Sequence, residues 1–110
     1  LAELQRAAYP DLMPLTSSLT VRQAMERSVG ILKEQGLEVI NVDHVNGLIE
    51  ATATSFWYGF KDDVVVRIQA TDQNLRIDLR SVSRVGRSDI GANAARIRTF
   101  SKKFKALELN

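Results

Sequence analysis

"DVVVRIQATDQNLRIDLRSV", residues 63–82, decides the fold. Val64, Val66 and Ile68 alternate with Arg67 and Gln69, and Leu75, Ile77 and Leu79 alternate with Arg76, Asp78 and Arg80. Successive side chains of a strand point to opposite faces, so this period of two describes strands with one dry face and one wet face. The polar run Thr71 to Asn74 turns the chain between them. An antiparallel sheet covered on one side only has this pattern.

Working upstream, Asn46-Gly47 is a hairpin signal leading into a strand over Leu48 to Thr54. There Ile49, Ala51 and Ala53 share the dry face, while Glu50 and Thr52 take the other. Leu37 to Val42 reads as the first strand, Asp63 to Ala70 as the third and Leu75 to Val82 as the fourth. A helix precedes them. Thr20-Val21-Arg22-Gln23 fits a capping box, Val21, Ala24, Met25, Ser28 and Leu32 follow helical spacing, and Gly36 stops the run. A second amphipathic helix follows, with Ile90, Ala94, Ile97, Phe100, Phe104 and Leu107 on its apolar stripe. The expected class is α+β: an antiparallel four-stranded sheet with two helices packed on one face, in the order α-β-β-β-β-α. Residues 1–19, broken by Pro10 and Pro14, form an irregular N-terminal segment in which Leu12 to Leu15 has the makings of a short edge strand. Residues 20–110 form a single α+β domain.

The composition fits one globular unit: 110 residues, 45% hydrophobic and 25% charged. Without cysteine the chain has no disulfide and no thiolate metal site. No apolar run approaches the roughly 20 residues of a membrane span. The chain opens on Leu1 rather than on methionine, and we expect an upstream segment. Net charge is +2, unevenly spread: residues 80–105 hold eight basic residues against one acid, Asp89, which leaves the rest of the chain five charges negative. Such a patch attracts an acidic partner, or is the solvated face of a C-terminal helix whose cations offset its dipole. No aromatics interleave with the basic residues as stacking on bases would require, so a nucleic-acid partner is not expected.

Three clusters carry chemistry. Lys61-Asp62-Asp63 reads either as a carboxylate pair for a divalent cation or a general base, or as a strand-entry turn in which an acid pairs with Arg84 or Arg87. If the strand already runs through Asp62 and Asp63, the two carboxylates point to opposite faces and share no ion. Trp57, Tyr58 and Phe60 gather in the connection before that strand, as a contact surface or as a plug closing the sandwich. Arg84, Gly86, Arg87, Ser88 and Asp89 surround the start of the second helix, where an anion would find free N–H groups. Asp89 puts a negative charge in that place, and an internal network of Asp89, Asn93, Arg96 and the strand-end arginines is the simpler reading. His44 stands alone in a turn, and no base is spaced to activate Ser81, Ser83 or Ser88. No catalytic residue, metal ligand or cofactor is therefore assigned.

"YPDLMPL" at 9–15, "IEATATSFWYGFKDDVVVRI" at 49–68 and "RSVSRVGRSDIGANAARIRTF" at 80–100 together resemble the bacterial domain-of-unknown-function family 1499. The family pattern falls on Pro10, Phe60, Lys61, Asp62, Asp63, Arg67, Ser83, Arg84, Gly86, Asp89, Gly91, Asn93 and Arg96. The resemblance implies no established activity. It does imply a place beside membrane-spanning or export segments, hence a cell-envelope or membrane-associated protein, with a cytoplasmic one as the alternative. The expectation is a non-catalytic binding or assembly module for an unknown protein or anionic ligand. Its binding residues are Trp57, Tyr58, Lys61, Asp62, Asp63, Arg67, Arg84, Arg87, Ser88, Asp89, Asn93 and Arg96. The alternative is a small-ligand binder or enzyme acting on an anionic substrate at the Lys61, Asp62, Asp63, Arg84 and Arg87 corner.

Overall fold

The computed structural model describes residues 15–54, 61–83 and 90–108. They run as β1 (Leu15–Ser17), α1 (Val21–Glu34), β2 (Glu38–Asp43), β3 (Leu48–Thr54), β4 (Lys61–Ala70), β5 (Leu75–Ser83) and α2 (Ile90–Glu108). The five strands form one antiparallel sheet in the order β1-β5-β4-β3-β2. The α+β class holds, but the sheet has five strands rather than four, and the order is β-α-β-β-β-β-α. The added strand is β1, which pairs Leu15 with Ile77 and Ser17 with Leu75 at the β5 edge. Leu15 and Ser17 are buried there, so the irregular N-terminal stretch does not extend to residue 19 as expected. A three-residue strand is too short to show a period, and its burial comes from β5 rather than from its own pattern.

Capping chemistry sets the limits of α1. The Gln23 backbone N–H donates to Thr20 Oγ1, and Gln23 Oε1 accepts from the Thr20 N–H, both at 3.1 Å. At the other end Gly36 adopts φ +87°, which lets its N–H donate to the Lys33 carbonyl and the Leu37 N–H to the Leu32 carbonyl. That reversal satisfies two orphaned carbonyls, and it delivers Leu37 into the core beside Leu32. From there β2 to β5 follow as a meander. Gly47 closes the β2–β3 turn at φ +66°, and a Cβ there would press into the Ile68 carbonyl oxygen.

Both helices lie on the face that carries Ile49, Ala51, Val64, Val66, Ile68, Leu75, Ile77 and Leu79. Met25, Ile31 and Leu32 of α1 meet Ile97, Phe100 and Phe104 of α2 above it, and the rings of Phe100 and Phe104 stack at 6.1 Å. Gln35 Nε2 donates to the Arg96 carbonyl, Lys103 pairs with Glu34, and the Arg27 guanidinium lies over the Phe104 ring, which together tie the helices to each other. Leu107, expected on the apolar stripe, is 42% exposed, and the last α2 residue in the core cluster is Phe104. No helix among the described residues is long and apolar enough to cross a membrane.

Candidate functional site

The β4–β5 ladder positions both halves of the candidate site. Its register sets Asp62 against Ser83, Val64 against Ser81, Val65 against Arg80 and Arg67 against Asp78. Because the side-chain period is two, Asp62, Ser81 and Ser83 continue the dry parity of Val64, Leu79 and Ile77 and end up under α2. Asp63, Val65, Arg67, Gln69, Arg76, Asp78 and Arg80 fall on the opposite face.

Under α2 these polar residues satisfy one another. The Ser81 hydroxyl donates to Asn93 Oδ1, and Asn93 Nδ2 donates to the Ser83 hydroxyl at 3.1 Å. Arg96 Nη1 lies within reach of Ser81 Oγ at 2.9 Å, Asn93 Oδ1 at 2.8 Å and Asp62 Oδ2 at 3.2 Å, so its two hydrogens are shared among three acceptors. Ser81 and Asn93 are fully buried, and the Arg96 and Asp62 side chains are only 17% and 15% exposed. This arrangement fastens the first turns of α2 to the ends of β4 and β5. Ser81 has no route to a substrate.

Of the expected site residues, the structure unites Asp62, Asn93 and Arg96 and separates them from Asp63 and Arg67. Lys61, Asp62 and Asp63 are not a strand-entry turn: β4 begins at Lys61, two residues earlier than expected, because Asp62 and Asp63 already pair with Ser83 and Val82. Among the described residues the partner of Asp62 is Arg96, while the expected pairing with Arg84 or Arg87 lies outside the described residues. Trp57, Tyr58, Arg84, Arg87, Ser88 and Asp89 lie outside the described residues. Two network members escaped the sequence reading. The sequence reading treats Ser81 and Ser83 as nucleophiles without a base, and Ser83 also as part of the family pattern, although their parity, continuous with Leu75, Ile77 and Leu79, places them inside.

The other face of the sheet has no described helix over it. Between β4 and β5 it holds a depression of about 390 Å³ lined by Val65, Arg67, Gln69, Arg76, Asp78 and Arg80. Arg76 Nε donates to both Asp78 oxygens at 3.2 Å. Asp78 stands directly across from Arg67 but is held by Arg76, and among the described residues Arg67 makes no ion pair. Arg76, Asp78 and Arg80 were legible as outward-facing from the alternation, yet only Arg67 stood among the expected binding residues.

A smaller polar feature closes the β2–β3 turn. Asp43 Oδ1 accepts from the Val45 and Asn46 N–H groups, and Oδ2 accepts from Asn46 Nδ2. The Asn46 side-chain hydrogen bond, followed by the Asn46 and Val45 backbone bonds, holds the Asp43 carboxyl below its ordinary pKa. Among the described residues no three His, Cys, Asp or Glu side chains gather in a way that would hold a metal ion.

Fold and site together define a small α+β sandwich with a sealed polar corner under one helix and a charged, open sheet face. The chain belongs to the family described as Protein of unknown function (DUF1499), whose model matches residues 2–104. No curated protein matches it.

Proposed function

We propose that the chain is a non-catalytic binding module, part of an envelope- or membrane-associated protein, which holds an anionic group of its partner on the open sheet face. One observation carries the reading: Arg67, Arg76 and Arg80 line, from two adjacent strands, a depression whose only acid among the described residues, Asp78, is already paired with Arg76. Arginine forks match carboxylate and phosphate oxygens two at a time, which gives such a surface both attraction and geometry. Of the described residues in the enzyme reading, Asp62 is taken up by Arg96 in the buried corner. Lys61 and Asp63 stand on the outer side of β4, away from that network.

Amide chemical-shift mapping with a hexaglutamate peptide tests the proposal. The expected shifts concentrate on β4 and β5 around Val65, Arg67, Gln69 and Arg80. Shifts centred on Lys61, Asp62 and Arg96, or none at all, would contradict it.

A further inference from the structure

We infer that Asp78 is a built-in competitor for the Arg67 guanidinium and that Arg76 is the positioning residue that holds it off, an inference that rests on the binding role proposed above. Residues directly opposite each other on antiparallel strands have Cβ atoms about 4.5–5.5 Å apart, and Asp78 stands directly opposite Arg67. Arg76 lies two positions away along β5, roughly 7 Å at the rise of an extended strand. The backbone thus sets the Asp78 carboxylate nearer to Arg67 than to Arg76. Both of its oxygens nevertheless accept from Arg76 Nε, each at 3.2 Å. Glu50 on β3 stands opposite Val65 and accepts from Asn41 Nδ2, and Asp63 lies further along β4. Among the described residues, then, Asp78 is the acid directly across from Arg67, and Arg76 has drawn it aside.

The hold is light. One N–H is shared between two oxygens, and the Arg76 and Asp78 side chains are 53% and 32% exposed. Ion pairs this open to water shift an equilibrium by no more than about fivefold, so Asp78 passes to Arg67 once Arg76 lets go. An Asp78 carboxylate on the Arg67 fork occupies the donors that an anionic partner needs. Arg76 therefore acts on the bound anion through Asp78.

Two readouts test this: the Arg67 Nε–H resonance of the free chain, and hexaglutamate affinity from amide shifts of β4 and β5. Arg76→Gln should move the Arg67 resonance and weaken hexaglutamate binding about fivefold. Asp78→Asn added to Arg76→Gln should return the resonance and recover most of the lost affinity. Asp78→Asn in the native background should strengthen binding by a clearly smaller factor than it does beside Arg76→Gln, because there Arg76 already holds the carboxylate.

A loss that Asp78→Asn does not recover overturns the inference, since Arg76 would then contact the anion itself. An equal gain from Asp78→Asn in both backgrounds also overturns it, as does an Arg67 resonance that Arg76→Gln leaves in place. Hexaglutamate bound equally well by the native chain and by Arg76→Gln overturns this inference and leaves the binding role standing. Failure of the native chain to bind hexaglutamate overturns both.

Discussion

Arg96 is the residue on which the closed corner turns. It reaches Asp62 on β4, Ser81 on β5 and Asn93 on its own helix with a single terminal nitrogen. Removing the guanidinium strands the mostly buried Asp62 carboxylate, while Ser81 and Asn93 keep their bond to each other, and such an orphaned group costs on the order of 2 kcal/mol. We expect Arg96→Met to lower stability by about that much, and Asp62→Asn by less. The two changes should couple by about 1 kcal/mol in a double-mutant cycle followed by urea denaturation. Lys102→Ala, on the exposed side of α2, should stay within about 0.5 kcal/mol. Additive effects of Arg96→Met and Asp62→Asn would refute the shared network. Gly47 is the other residue with no substitute. Both Gly36 and Gly47 have positive φ, but only at Gly47 would a Cβ meet backbone. Gly36→Ala should therefore cost about 1 kcal/mol, and Gly47→Ala clearly more, as read from thermal midpoints.

At the scale of elements, the β2–β3 hairpin depends on pH through Asp43. Its carboxyl is held below the ordinary value by Asn46, so the stabilisation it lends is complete above the unfolded aspartate pKa of about 3.9. That contribution fades as pH falls through the lower, folded value. The urea-midpoint difference between the native chain and Asp43→Asn should be steady from pH 7 down to about 5, then shrink below about pH 4. A difference that grows in acid would contradict the assignment.

The elements also show what the sequence could disclose. Thr20, Gln23 and Gly36 announce α1 because capping acts over three or four residues, all within a short stretch of chain. Val64, Ile68, Leu75 and Ile77 announce β4 and β5 because alternation repeats over nine or ten residues. The sequence suggests a short edge strand over Leu12 to Leu15, but the described strand β1 runs over Leu15–Ser17, because β5 some sixty positions away sets its pairing. The Asp62–Arg96 pair spans 34 residues and was hidden, because the sequence offers many arginines and only the packing of α2 selects one. Leu107 keeps the helical spacing but lies outside the core cluster, which on α2 ends at Phe104.

For the molecule as a whole, the two faces of one sheet do different work. One buries its apolar parity under both helices, and the few polar side chains caught there are paired internally. The other keeps its charges in water, where Arg67 remains open beside a depression that Arg76 and Arg80 share. A charge at an exposed strand position contributes little to stability and is available for binding, whereas a buried polar group serves stability first. The central claim is therefore a division between these residues, and the affinity of hexaglutamate for two variants tests it most directly. Arg67→Gln should weaken the complex several-fold with folding stability unchanged within about 0.5 kcal/mol. Arg96→Met, measured where it remains folded, should bind as the native chain does. Binding retained by Arg67→Gln and lost by folded Arg96→Met would contradict the account and return the site to the corner.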